Sequence, residues 1–451
     1  MSHRRPATRL RWCHAGALAL AAAMVLGAGC SETSRLPPGA DVGPQPTLAQ
    51  PQRATLPTLH IAPATGWPAG RAPIPGKGLQ VQVFAEELSH PRWLHVLPNG
   101  DVLVAETNAP PRPQDGTGVK GWVMKLVQRR AGAGTPSANR ITLLRDADGD
   151  GRPEARHVLL DGLNSPFGMA LVDHSLYVAH TDAVWEYPYN PGATRIDGAG
   201  RRLADLPAGA LNHHWTKNLI ASADGQRLYA TVGSNSNVAE NGMDAERGRA
   251  AIWEIDRRSG ESRVFASGLR NPNGMAWEPA TKTLWTVVNE RDELGSDLVP
   301  DYLTSVRDGG FYGWPYSWYG THVDSRVEPQ RPDLVAAAIV PDYALGAHVA
   351  ALGLAASTGS MLPAPMGQGA QGMFVALHGS WNRRPLAGYK VVFVPFGAGR
   401  PAGRPMDVLS GFVDADGNAQ GRPVGVAIDG RGALLVADDV GNKVWRVTAA
   451  P

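Results

Sequence analysis

Residues 91–108 read PRWLHVLPNGDVLVAETN. An apolar run, an Asn-Gly turn and a second run rich in β-branched residues form a β-hairpin signal, because Asn and Gly tolerate the positive φ of a tight turn. The unit recurs. Pro166 opens PFGMALVDHSLYVAHTD, and His214 opens HWTKNLIASADGQRLYATVGSNSN. Pro272 opens PNGMAWEPATKTLWTVVNERD, Leu352 opens LGLAAS with GMFVALHGSWNR after an insertion, and Pro423 opens PVGVAIDGRGALLVADD. Intervening segments such as AAIWEIDRRSGESRVFAS supply further strands, while helical periodicity is scarce. Paired hairpins recurring every 50–80 residues or so, roughly the period of propeller blades, predict an all-β chain. The expected fold is one six-bladed β-propeller over residues 76–451. The C-terminal strand around Lys443-Val444-Trp445 is expected to complete blade one and close the ring.

Composition agrees. The 53 glycines and 37 prolines make about a fifth of the 451 residues, which favours turns over helices. A hydrophobic content of 43% is too high for a disordered chain. A net charge of +2 gives no basic field and argues against nucleic acid as a partner. Two cysteines, Cys13 and Cys30, exclude a disulfide scaffold and a cysteine-based zinc cluster.

Residues 1–30 read as an export signal. Arg4, Arg5, Arg9 and Arg11 precede the short apolar run AGALALAAAMVLGAG and then Cys30. Leu26-Gly27-Ala28-Gly29-Cys30 resembles a bacterial lipobox, with the leucine one place early, so Cys30 is the expected lipidation site. The Pro-rich stretch 31–75 reads as an extended spacer. The expectation is a periplasmic domain tethered to a bacterial membrane by lipid alone.

In a hairpin, the start of the first strand and the end of the second share one rim. That rim collects Arg92, Glu106 to Asn108, His180, Asp182, His213, His214 and Ser234 to Asn237. Later units add Arg270, Asn271, Asn289 to Asp292, His378, Ser380 to Arg383, Arg422, Asp438 and Asp439. Propellers gather ligands around the central channel, so this end is the expected site. The chain has no Gly-x-Ser-x-Gly elbow, no HExxH and no dinucleotide fingerprint. A histidine base among arginines suits proton abstraction beside an anionic cofactor.

Gly268-Leu269-Arg270-Asn271-Pro272-Asn273-Gly274-Met275 resembles the GLRNPxG signature of the glucose/sorbosone dehydrogenases. Pro91-Arg92, Asn289 to Asp292, His378 to Arg383 and Gly421-Arg422-Pro423 resemble further family segments in the same order, and the lipoprotein-type sorbosone dehydrogenases are the most similar branch. The resemblance implies a propeller quinoprotein using pyrroloquinoline quinone (PQQ) and calcium, with a sugar substrate. It implies His214 as general base, with His213 the alternative. Arg270 and Asn271 would contact the cofactor, Arg270 near its reactive carbonyl. Arg383 and Arg422 would answer PQQ carboxylates, which suit guanidinium forks, and Lys217 would assist. Arg291-Asp292-Glu293 matches the turn that holds calcium in the family, which puts Asp292 and Glu293 at the metal.

Three family features differ, one being the glycine-proline carbonyl turn at the expected calcium, replaced here by charged residues. His213 stands where an Asp precedes the catalytic His, and Ser234 replaces another Asp, which leaves Asn235 or Glu240 to orient the base. Separately, Asp146-Ala147-Asp148-Gly149-Asp150-Gly151 opens like a calcium loop, with His157 at position twelve and Glu154 as the substitute ligand. No CxxCH haem site exists, so a separate quinone or cytochrome would accept the electrons. Two other readings remain open. One is a calcium-centred lactonase using Glu106, Asn289 and Asp438; the other is a non-catalytic sugar- or protein-binding propeller. The aromatics of GGFYGWPYSWYG offer either a sugar platform or packing.

Overall fold

A computed structural model describes residues 32–52, 58–111, 130–132, 134–367 and 369–451. The export signal and Cys30 lie outside these residues. Six antiparallel sheets form the blades of a β-propeller. Blade one is Pro91–Val96, Val102–Glu106, Arg140–Arg145 and Ala155–Leu160. Blade two is Met169–Val172, Ser175–Ala179, Ala183–Pro188 and Arg201–Asp205. Blade three is Leu219–Ala221, Arg227–Val232, Ala251–Asp256 and Ser262–Ser267. Blade four is Asn271–Trp277, Leu284–Asn289, Pro300–Ser305 and Tyr343–Ala347. Blade five is built on Ala351–Ala356, Gly372–Leu377, Lys390–Gly397 and Met406–Ser410. Blade six is Pro423–Ile428, Leu434–Asp438, Lys443–Ala449 and Leu79–Ala85.

Each recurring unit is thus the inner hairpin of a blade. Closure differs in one respect from the sequence expectation. The N-terminal strand Leu79–Ala85 pairs with Lys443–Ala449 and completes blade six, so both ends of the propeller domain build one blade. Blade one is continuous in sequence. Closure in this form leaves no open seam in the ring.

The glycines near the start of four units, Gly168, Gly274, Gly353 and Gly425, have a packing reason. A Cβ on Gly274 would stand 2.6 Å from the Leu352 oxygen, on the inner strand of the next blade. One on Gly353 would overlap the Val424 oxygen of the blade after that. Glycine lets inner strands touch backbone to backbone around the channel. Register shifts at Pro91/Trp93, Pro272/Met275, Ala351/Gly353 and Pro423/Val426 place a bulge at the same rim. Such bulges twist a strand and re-aim its side chains. Apolar clusters fill the wedges between neighbouring blades. Phe374, Phe393, Leu434 and Trp445 join blades five and six, and Leu94, Val104, Leu435 and Val444 join six and one.

The stretch 31–75 is not a free spacer where it is described. Val42–Gly43 pairs with Tyr343–Ala347, and Ile74–Pro75 pairs with Met406–Ser410, so the segment covers two outer edges. The Asp297 carboxylate accepts from Ser34 Oγ at 2.5 Å and from the Arg35 amide at 2.7 Å. Trp67 Nε1 donates to buried Asp438 at 2.6 Å. These specific contacts override the compositional signal for an extended linker.

Candidate functional site

The loop entering blade three carries His214, and the end of the next strand carries Ser234. His214 Nδ1 lies 2.8 Å from the Ser234 carbonyl oxygen and 3.0 Å from Ser234 Oγ. The carbonyl only accepts, so Nδ1 carries the proton. Ser234 Oγ donates to the Ser236 oxygen at 2.6 Å and accepts from the imidazole. The ring is thereby fixed as the tautomer with its lone pair on Nε2. Burial, then the charge of Arg270, drives the imidazolium well below the usual histidine range, and the Ser234 carbonyl offsets part of this. His213 adds a further unfavourable charge, while Asp292 opposes it. A neutral ring with a lone pair is the form a general base needs.

The orienting group is therefore neither Asn235 nor Glu240. Asn235 donates to the Leu211 oxygen, and Glu240 accepts from the Val238 amide at 2.7 Å. A main-chain oxygen and a hydroxyl replace the expected carboxylate. One prediction follows from this pair. Ser234→Asp sets a negative charge against Nδ1–H and favours the imidazolium. The acid limb of kcat/KM is expected to rise by about one pH unit or more. The parent protein should stay active well below pH 6.5, because its base remains neutral there. A pH–rate profile of both proteins checks this.

Arg270 opens blade four. The Ser234 amide donates to the Arg270 oxygen at 2.7 Å, which ties base and arginine to one rim. The guanidinium is buried. Nη1 donates to the Glu290 oxygen at 2.6 Å, and Nη2 to Asn237 Oδ1 at 2.9 Å. Nη2 also lies 3.5 Å from Asp292 Oδ2. Asn271 pairs with Asn289 across the hairpin, and its buried Oδ1 has no hydrogen-bond partner. Burial would raise the Asp292 carboxyl, yet His348, Arg270 and Asn382 together bring it down to about 2.

Opposite, Arg92 Nη1 donates to Asp439 Oδ2 at 2.6 Å, and His378 Nε2 meets the same oxygen at 2.9 Å. The Arg92 guanidinium lies 5.9 Å from the Trp215 ring, one residue from His214. The Arg422 guanidinium stands over Tyr389 at 5.2 Å, and its Nη2 donates to the Ala62 oxygen at 3.2 Å. A cavity of about 660 Å³ joins Arg92, His213, Trp215, His378, Arg422 and Asp439. His213 and Trp215, the sequence neighbours of His214, line this cavity. The volume is in the range of sites for drug-sized ligands. The Nε atoms of Arg92 and Arg422 are buried without hydrogen-bond partners, and both side chains line the cavity.

Other expected residues sit elsewhere. Arg383 turns away: its Nη2 donates to Ser34 Oγ at 3.0 Å and lies 3.6 Å from Asp297. It holds the N-terminal segment and is not presented to a cofactor carboxylate. Lys217 is fully buried, with Nζ 3.4 Å from the His214 main-chain oxygen. Burial, then Arg249, pushes its ammonium down to about 7, against Asp182. It props the base's loop from behind. Glu293 is exposed and in the left-handed region at φ 71°. The Asp292 main-chain oxygen accepts from Arg326 Nη1 at 2.9 Å and Asn237 Nδ2 at 3.3 Å. Asn237, Arg326 and His348 organise this corner. The sequence placed Asn237 on the rim without a role, while Arg326 lies in the long insertion of blade four and His348 in the short link from blade four to blade five, with no motif to mark either.

The lactonase set does not converge. Glu106 is taken by Arg140 at 2.8 Å, Asn289 donates to the Ala351 oxygen at 2.6 Å, and Asp438 is taken by Trp67 and Trp445. Tyr312, Trp318 and Tyr319 pack into the core between blades three and four, which favours packing over a sugar platform. Among the described residues, one side-chain group has metal-ligating spacing: Asp146, Asp148, Asp150 and Glu154, with ligand atoms within 4.8 Å of one another. Their loop joins Arg140–Arg145 to Ala155–Leu160 at the end of the propeller opposite the rim.

Comparison with known proteins adds to this geometry. The TrAA12-like family profile matches residues 133–301 and 333–450. A pyrroloquinoline quinone-dependent pyranose dehydrogenase of Coprinopsis cinerea is 27% identical over 257 residues, covering 48% of this chain and 34% of that protein. The chain thus aligns with about a third of that relative's length. The holo form of the PQQ domain of Coprinopsis cinerea pyranose dehydrogenase superposes with a TM-score of 0.65 at 20% identity, covering 86% of this chain and 100% of that one. The calcium structure of the Trichoderma reesei AA12 enzyme superposes with a TM-score of 0.67 at 18% identity, covering 87% and 99%. At these identities the structural likeness is one of fold.

Proposed function

The chain belongs to the TrAA12-like family, and from that premise we propose that it is a PQQ-dependent quinoprotein dehydrogenase oxidising an aldose or a sugar aldehyde of the sorbosone kind. The observation that carries this reading is the fixed tautomer of His214, tied through Ser234 to Arg270 at one rim. The pyranose dehydrogenase relative supports the cofactor. The donor set fits it too. Arg92 and Arg422 line the cavity, Arg270 and Asn271 open blade four at the same rim, and guanidinium groups suit an anionic group.

When bound, PQQ supplies a two-electron acceptor for hydrogen leaving the substrate carbon. The rest falls to the chain. His214 Nε2 accepts the proton of the substrate hydroxyl, and the Ser234 oxygens hold Nδ1–H and keep the ring in plane. Arg270, locked on Glu290 and Asn237, keeps a positive charge beside the base and holds it neutral before reaction. A fixed charge needs little reorganisation as reaction proceeds. Reconstitution with PQQ, followed by dye reduction with a panel of aldoses and aldehydes, tests the reading. Turnover of at least one aldose is expected; lactone hydrolysis without PQQ in place of it would reject the reading.

Calcium is proposed for the loop of Asp146, Asp148 and Asp150, completed by Glu154. Titration calorimetry should show one calcium site that is lost in Asp148→Asn. Electrons are proposed to pass to a separate quinone or cytochrome, with the protein held at a periplasmic membrane face through Cys30. Cys30→Ser should then shift the protein from the membrane fraction to the soluble one.

A further inference from the structure

We infer that the quinone site of this protein works without a metal ion, with arginine side chains occupying the turn where the sugar-dehydrogenase resemblance puts calcium. The inference rests on the PQQ reading. Calcium takes 6–8 oxygen ligands, and at this turn the main-chain oxygens of Glu290, Asp292, Leu294 and Gly295 already accept hydrogen bonds. The Glu290 oxygen accepts from Arg270 Nη1 at 2.6 Å. The Asp292 oxygen accepts from Arg326 Nη1 at 2.9 Å. The Gly295 oxygen lies 2.9 Å from His348 Nε2. The Leu294 oxygen accepts from the Gln52 amide at 2.9 Å.

The Asp292 carboxylate is equally engaged. Its Oδ1 accepts from Asn382 Nδ2 at 2.8 Å and faces His348 Nδ1 at 3.4 Å, and its Oδ2 faces Arg270. Two buried oxygens nearby lack partners, Asn271 Oδ1 and Asn382 Oδ1. Both are neutral amides and bring no negative charge to hold a dication. Two guanidinium groups already meet at this turn, and a dication beside them would be repelled. The donor set suits an anion, and a fixed guanidinium can polarise a bound carbonyl as a cation would. Within Arg291-Asp292-Glu293, Arg291 is thus a buried ion-pair residue that joins Glu290 and Asp324, while Glu293 stays exposed.

The test uses full-length protein stripped with chelator, and the Asp146→Asn/Asp148→Asn variant, whose remote loop cannot hold calcium. PQQ is titrated into each, with and without millimolar calcium, and read by tryptophan quenching and calorimetry. The expected result is a PQQ Kd that agrees within about threefold across all four conditions. The loop variant should take up no calcium. A loop variant that takes up one calcium and binds PQQ about tenfold or more tightly with it would overturn the inference while leaving the quinone reading intact. No PQQ binding in any condition would reject that reading and the inference together.

Discussion

His214→Asn is expected to lower kcat/KM for sugar oxidation by about 10³-fold, in the range a positioned general base contributes. Asparagine keeps a polar group of similar reach but offers no basic lone pair. The loss should fall on kcat, with KM and PQQ affinity little changed, because His214 acts on the proton in flight and does not anchor the cofactor. Asparagine is close to histidine in reach and can still donate to the Ser234 oxygens, so thermal stability should change little. Steady-state kinetics with PQQ calorimetry separates these effects. A loss under about tenfold would remove His214 from the role.

Arg270→Ala should have the larger effect on the whole protein. Its guanidinium is buried and satisfies the Glu290 oxygen, Asn237 Oδ1 and part of Asp292. Removing it strands these acceptors, and breaking a buried pair costs about 3–5 kcal/mol. PQQ affinity should fall by about a hundredfold or more, the effect of losing a buried charged partner. Arg270→Lys restores the charge without the fork. It should recover part of the stability and little of the affinity. Thermal denaturation and PQQ titration of both variants check this. Unchanged affinity in Arg270→Ala would place the cofactor elsewhere.

The repeated hairpins made the architecture legible, because turn chemistry and strand periodicity are local. Each unit opening at Pro91, Pro166, Pro272 and Pro423 is an inner hairpin, and the glycines after the last three allow inner strands to meet. The same regularity put Arg270 and His214 at one rim. What escaped reading depends on distant partners. Arg383 carries the right charge beside a family motif, yet Asp297 and Ser34 claim it across the fold. The resemblance makes Lys217 a helper at the cofactor, but it lies in the loop before Leu219–Ala221 and is fully buried. A carbonyl oxygen orienting His214 has no residue signature, so the search for a carboxylate looked for the wrong chemistry. The described part of 31–75 binds by single contacts, such as Trp67 on Asp438, and by two-residue strands too short to show periodicity.

The most direct measurement is an anaerobic titration: PQQ into the purified protein, then aldose into the complex, with quinone absorbance recorded throughout. One-to-one binding, followed by loss of the oxidised-quinone spectrum on adding sugar, is the predicted result. A stoichiometric complex whose spectrum stays unchanged across every aldose and aldehyde tried, or the absence of any complex, would contradict the account.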